Sequence, residues 1–175
     1  MSKLKYDAAT IGNHDFDNGI DGLYAQLPYA EFDFISANYD FSNTIMDSHT
    51  KPYKVFKKAG IKIGVFGLGI ELKGLVDSSM YKETKYLDPI EISQDMTRIL
   101  KEDEQCDLII CLSHLGYHYK NNPNKISDLK LAEATKNRLA TFITFSKEQH
   151  NKGRTTKHAA DDWFASKLHR IIDET

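Results

Sequence analysis

The sequence predicts a layered α/β sandwich. Three observations carry that expectation. A short apolar run ending at Ala8-Ala9-Thr10-Ile11 is followed by a helical pattern and then a second apolar run, Phe32 to Ala37, which is a β-α-β order. Two strand-like runs flank Ala59-Gly60, the signature of a hairpin. A third apolar run, Cys106 to Leu112, lies between two helical patterns.

Taken in order, Tyr6 to Ile11 reads as a strand whose residues lead into Gly12-Asn13-His14-Asp15-Phe16-Asp17 and the turn signal Asn18-Gly19. Gly19 to Tyr29 reads as a helix, with Ile20, Leu23, Tyr24 and Leu27 at helical spacing and Pro28 near its end. Asn38 to Thr50 is polar and reads as a loop. Tyr53 to Lys58 and Ile61 to Gly67 read as the hairpin, the second arm apolar enough to lie inside a sheet. The pair Gly67 and Gly69 reads as close packing rather than a phosphate loop. Pro89 to Glu104 reads as an amphipathic helix, its stripe of Ile92, Met96, Ile99 and Leu100 facing the core. Cys106 to Leu112 is the clearest buried strand and ends in Ser113-His114-Leu115-Gly116. After a polar loop, Ser127 can cap a helix from Asp128 to about Lys136.

Composition narrows the function. Hydrophobic residues at 41% and charged residues at 27% are those of an ordinary globular chain. A net charge of −2 argues against a nucleic-acid partner held by bulk electrostatics. No run is long enough to span a bilayer, and Met1 to Tyr6 has no apolar leader core, so neither a membrane partner nor a signal peptide is expected. Cys106 and Cys111 make no disulfide framework; five positions apart on a strand they face opposite sides and read as core filler.

Chemistry concentrates at the carboxyl ends of two strands, where open α/β sheets bind ligands. Asn13 and His14 leave the first strand with Asp15 and Asp17, and His114 leaves the Cys106–Leu112 strand. Amide oxygen and imidazole nitrogen both ligate metals, and a His–Asp pair handles protons. A loop of this composition can also be a plain turn, its Asn and Asp bonding their own backbone. The string decides between these readings. Gly12-Asn13-His14-Asp15 resembles the Gly-Asn-His-Glu/Asp block of the calcineurin-like metallophosphoesterases, and with Phe16-Asp17 it is most similar to the 5′-nucleotidase branch. Ser113-His114-Leu115-Gly116 matches a second block of that branch letter for letter. Tyr6 to Thr10, Ser36-Ala37-Asn38 and Lys58-Ala59-Gly60 extend the likeness over roughly Met1 to Asn137.

The resemblance implies an incomplete sandwich of the metallophosphoesterase type and a hydrolase of nucleoside 5′-monophosphates or related small phosphoesters. It implies two divalent ions such as Mn, Zn or Mg, with Asn13 and His114 each a ligand. His14 would meet the phosphate and leaving oxygen, oriented by Asp17; for Asp17 the alternative is an N-cap of the following helix. Asp15 reads as structural, and His49 and His118 as surface residues. Substrate-binding residues are not assigned. The family's upstream Asp-x-His and Gly-Asp blocks do not occur, so Met1 falls where the family has an internal residue. The downstream Gly-Gly-His-x-His block is also missing. From Arg138 the sequence turns net positive and departs from the family, so residues 1–137 are expected to form a partial metallophosphoesterase domain and 138–175 a divergent, replaced tail, helical at Ala159–Ile172. His150, His158 and His169 lack ligand spacing. A separate carboxyl-terminal substrate domain and export are common in the family. The competing expectation is a truncated, non-catalytic remnant or binding module with an incomplete metal site. A dinucleotide-binding domain lacks its Gly-x-Gly-x-x-Gly turn.

Overall fold

The computed structural model describes residues 1–135 and the backbone of 141–144. Strand β1 (Ala8–Thr10) runs into a 3₁₀ turn over Asn13–Phe16 and helix α1 (Gly19–Gln26), and the chain returns in β2 (Asp33–Ile35). β1 and β2 are parallel, with Ala9 opposite Phe34, so the β-α-β order forms as the sequence predicts. The predicted end of α1 tightens instead into a 3₁₀ turn, Leu27–Tyr29, because Pro28 cannot donate to the helical ladder.

The second sheet is built on the hairpin. β4 (Tyr53–Lys58) pairs antiparallel with β5 (Ile61–Leu68) across Ala59-Gly60, both at positive φ (51° and 85°). That is the mirror-image turn whose twist suits paired strands. Strand β7 (Leu108–Ser113) lies parallel to β5, Val65 opposite Ile110. Strand β8 (Thr141–Thr144) lies parallel on the far side of β7, giving the order β4-β5-β7-β8. The sequence reading placed 141–144 in the tail and assigned no strand there. The predicted helix at 159–172 and His150, His158 and His169 lie outside the described residues.

Helix α3 (Pro89–Arg98) begins where Asp88 caps it, its carboxylate accepting from Ile90 N–H at 2.8 Å and Glu91 N–H at 3.0 Å, with Pro89 in the first turn. The predicted run to Glu104 does not stay α-helical: Ile99–Asp103 widens into a π turn before the chain enters β7. Helix α4 (Asp128–Thr135) follows β7, and Leu131 N–H donates to the Ser127 carbonyl at 2.9 Å, which puts Ser127 at the capping position. Three short pieces have no periodicity to announce them: β3 (Tyr39–Asp40), within the region read as loop, pairs with β6 (Lys85–Tyr86), and α2 (Ser78–Tyr81) is one turn capped by Asp77. No helix among the described residues is long and apolar enough to cross a membrane.

The apolar residues sort into two clusters. Phe66, Leu68, Met96, Leu100, Cys106 and Cys111 fill the space between the four-stranded sheet, α3 and α4. Ile11, Phe16, Ile20, Leu23, Tyr39 and Met46 pack around α1. Both thiols are free and buried, as their reading as core filler requires, and burial pushes the Cys111 thiol up.

The two sheets meet where β5 passes the end of β2. Ala37 N–H donates to the Gly67 carbonyl at 2.8 Å. A Cβ on Gly67 would fall almost on the Ile35 carbonyl oxygen and 2.6 Å from Thr10 Oγ1, so only glycine lets the strands approach this closely. Gly67→Ala should therefore destabilise the fold by about 1–3 kcal/mol or more, read as a lower urea midpoint; an unchanged midpoint would mean the junction yields freely. Asp33 adds an ionic tie, accepting from Lys54 at 2.5 Å and Lys51 at 3.0 Å. Those bonds, that to Lys54 first, hold its carboxyl below the ordinary 3.8, so its stabilisation is present above that value and lost as pH falls through the lowered pKa. Asp33→Asn should lower the thermal midpoint at pH 7 and lower it progressively less as pH falls below 3.8.

Candidate metal and phosphate site

The first half of the site is the turn that follows β1. Ile11 and Phe16 are both fully buried and anchor its two ends in the α1 cluster. Burying a phenylalanine stabilises by about 2 kcal/mol, so the turn is held at apolar anchors on both sides. Between these anchors Asp15 accepts a hydrogen bond from Gly12 N–H at 2.7 Å, and Asp15 N–H returns one to the Gly12 carbonyl at 3.3 Å. Asp15 thus shapes the loop, as its reading as structural requires. The turn pushes the remaining polar groups outward. His14 Nδ1 lies 3.1 Å from Asp17 Oδ2 and 3.2 Å from Oδ1, with the two side chains 61% and 64% exposed. A carboxylate only accepts, so Nδ1 is the donor in this contact and Nε2 takes no part in it. An exposed pair of this kind adds little stability; its effect is to orient the ring. No capping bond from Asp17 to α1 is formed, since the residue before that helix is Asn18 and it caps with no side-chain bond.

The second half comes from the end of β7. His114 N–H donates to the Leu68 carbonyl at 2.8 Å, which carries the β5–β7 ladder one residue past the strand. The imidazole then reaches across to the first loop: His114 Nε2 lies 3.2 Å from Asn13 Oδ1, two groups 101 residues apart in sequence. Both side chains are half-buried. Gly12 makes room for this contact. A Cβ there would stand 2.7 to 2.8 Å from three atoms of the His114 ring. Sequence reasoning treated Gly12 as part of a motif; the structure gives it a steric task. Gly12→Ala should displace the His114 ring from Asn13, visible as a shift of the His114 imidazole resonances with circular dichroism unchanged; unmoved resonances would contradict the steric role.

An amide oxygen facing an imidazole nitrogen can share one proton or one cation. Both atoms suit a divalent ion of intermediate hardness, so they fit as two donors of a ligand set. Among the described residues, no group of three or more His, Cys, Asp or Glu side chains converges. His49 and His118 are exposed; His49 meets the edge of Tyr24 at 5.0 Å between ring centroids.

The large groove nearby, about 730 Å³, is a different environment. Ala8, Ala9, Phe56, Ile63, Val65, Ile110 and Leu112 line it together with the charged Lys5, Asp7 and Lys58, and Thr10 and His114 line it from the carboxyl ends of β1 and β7. Neither His14 nor Asp17 lines it. The polar face carrying His14 and Asp17 is open to solvent instead. One buried polar contact escaped sequence reasoning: Ser113 donates to Asp128 at 2.5 Å. An acid beside a serine at a helix start reads as a solvated cap, and nothing in the spacing marks it as buried.

This fold, with Asn-His and Ser-His ends side by side, is that of the calcineurin-like metallophosphoesterases, and the likeness to known proteins places it in their 5′-nucleotidase branch. The chain is 38% identical over 133 residues to a 5′-nucleotidase of Vibrio cholerae, a match that spans 73% of this chain and 23% of that protein. Among solved structures it superposes on the NAD nucleotidase NadN of Haemophilus influenzae with a TM-score of 0.68 at 30% identity, covering 84% of this chain and 27% of that one. It superposes on the calcineurin-like phosphoesterase YfkN of Bacillus subtilis with a TM-score of 0.67 at 25% identity, covering 82% and 46%. No protein-family model matches the chain. The chain spans about a quarter of the length of the 5′-nucleotidases it matches.

Proposed function

We propose that this chain carries the phosphate-handling half of a metal-dependent phosphoester hydrolase of the 5′-nucleotidase type, acting on nucleoside 5′-monophosphates or similar small phosphoesters. The observation that supports it is the 3.2 Å approach of Asn13 Oδ1 to His114 Nε2 next to the outward His14–Asp17 pair. Asn13 and His114 would hold a divalent ion. When bound, such an ion supplies positive charge that neutralises a phosphoryl group and eases ionisation of water. His14 then has two tasks available to its free Nε2: as a cation it balances charge on the phosphoryl oxygens, and as an acid it gives a proton to the leaving alkoxide. Asp17 keeps Nδ1 protonated and the ring aimed, so Nε2 is the nitrogen that works. The base and sugar would be read by parts of a longer protein, consistent with the greater length of the matched 5′-nucleotidases.

A second reading is favoured by one observation: two facing donors are fewer than a stable dinuclear centre needs. On that reading the chain is a binding module with a weak metal site. Phosphate release from AMP and from a chromogenic phosphoester with Mn²⁺, Zn²⁺ or Mg²⁺ separates the two. If the chain is an enzyme, His14→Ala lowers the rate by roughly 10²–10⁴-fold, and Asp17→Asn lowers it less while metal affinity persists. Asn13→Ala and His114→Ala weaken metal binding by about tenfold or more. Equal release by wild type and His14→Ala supports the binding module.

A further inference from the structure

The carboxylate of Asp128 is 4% exposed and the hydroxyl-bearing Ser113 only 1%, yet the two are joined by a 2.5 Å hydrogen bond. Burying a carboxylate is costly unless its bonds offset the lost hydration. The position of this one suggests what it does. Ser113 is the last residue of β7 and immediately precedes His114. Its hydroxyl donates to Asp128 and accepts from Leu115 N–H at 3.3 Å, so the residues on both sides of His114 are tied to one oxygen. Leu115 is buried at 1% exposure, and its carbonyl accepts from Tyr119 Oη at 2.5 Å. Asp128 N–H donates to the Gly116 carbonyl at 2.9 Å and Leu129 N–H to that of Tyr117 at 3.3 Å, so the loop beyond His114 hangs on the first turn of α4. Charge-assisted bonds of this kind are short and directional, which suits them to fixing a strand end rather than only filling space.

We propose that Asp128 is a positioning residue for His114: through Ser113 Oγ it sets the strand end so that the imidazole meets Asn13 Oδ1. The purpose of this arrangement rests on the reading of Asn13 and His114 as metal donors, whereas the arrangement itself can be tested without metal. Ser113 ends β7, His114 follows it and Asp128 opens α4, and the carboxylate–hydroxyl bond joins the side chains of Ser113 and Asp128.

The test uses the full 175-residue chain and long-range ¹H–¹⁵N spectra of the imidazoles, with His114 assigned by its loss in H114Q. In metal-free protein, D128A and S113A should both move the His114 ring signals and leave those of His14 in place. The double variant should fall clearly short of the sum of the two single changes, because both remove the Ser113–Asp128 bond. D128N, which can still accept from Ser113, should fall between wild type and D128A. Zn²⁺ affinity in D128A and S113A should drop by roughly ten- to a hundredfold. Folded S113A or D128A with unmoved His114 signals would overturn the proposal; S113A carries this test if D128A does not fold. A wild-type His114 ring that ignores Zn²⁺ would instead overturn the metal reading, and the metal-free shifts would still decide whether Asp128 positions the ring.

Discussion

The approach of His114 to Asn13 is the constraint on which the rest of the site depends. The two residues leave different strands in different sheets, so their contact requires that the sheets converge at their carboxyl ends. Two glycines permit it. Gly67 lets β5 pass against the Ile35 carbonyl, and Gly12 lets the imidazole lie against the loop backbone. Apolar packing sets the positions on either side: Ile11 and Phe16 hold one loop in the α1 cluster, and Leu115 with Cys111 holds the other in the cluster under α3 and α4. Backbone geometry thus brings the polar atoms together, and the polar atoms need not supply the energy of folding.

A division of labour among the acids follows. Asp15 bonds its own loop and Asp128 bonds the serine before His114; each shapes backbone next to a donor. Asp17, by contrast with these two, meets a side chain that faces solvent. Carboxylates close in kind therefore do different work because their surroundings differ. That arrangement brings Asn13, His14 and His114, the groups proposed to meet a ligand, to the ends of β1 and β7.

Much of this was legible in the sequence, for identifiable reasons. The β-α-β unit, the hairpin and the helix from Pro89 are long or strongly patterned, and each formed where expected, though β1, β2 and α1 are shorter than read and the helix from Pro89 leaves α geometry after Arg98. The bridge between Tyr39–Asp40 and Lys85–Tyr86 was not legible, because two residues have no period. Strand β8 was missed for another reason: Thr141-Phe142-Ile143-Thr144 is strand-like in composition, but the absence of the expected Gly-Gly-His-x-His block directed attention to what the segment lacked. For the site, the identities of Asn13, His14, Asp17 and His114 came from two short strings that resemble a known family. Their distances could not come from the strings, and neither could the steric task of Gly12, which exists only once the ends of β1 and β7 meet, or the buried bond of Asp128, which exists only once α4 folds against the end of β7.

The central claim is that Asn13 and His114 are turned toward one cation. Anomalous diffraction from crystals of the chain grown with Mn²⁺ tests it most directly. The account predicts an anomalous peak within coordination distance of both Asn13 Oδ1 and His114 Nε2. A map without a peak there at saturating Mn²⁺, with the amide and imidazole still hydrogen-bonded to each other, would contradict it.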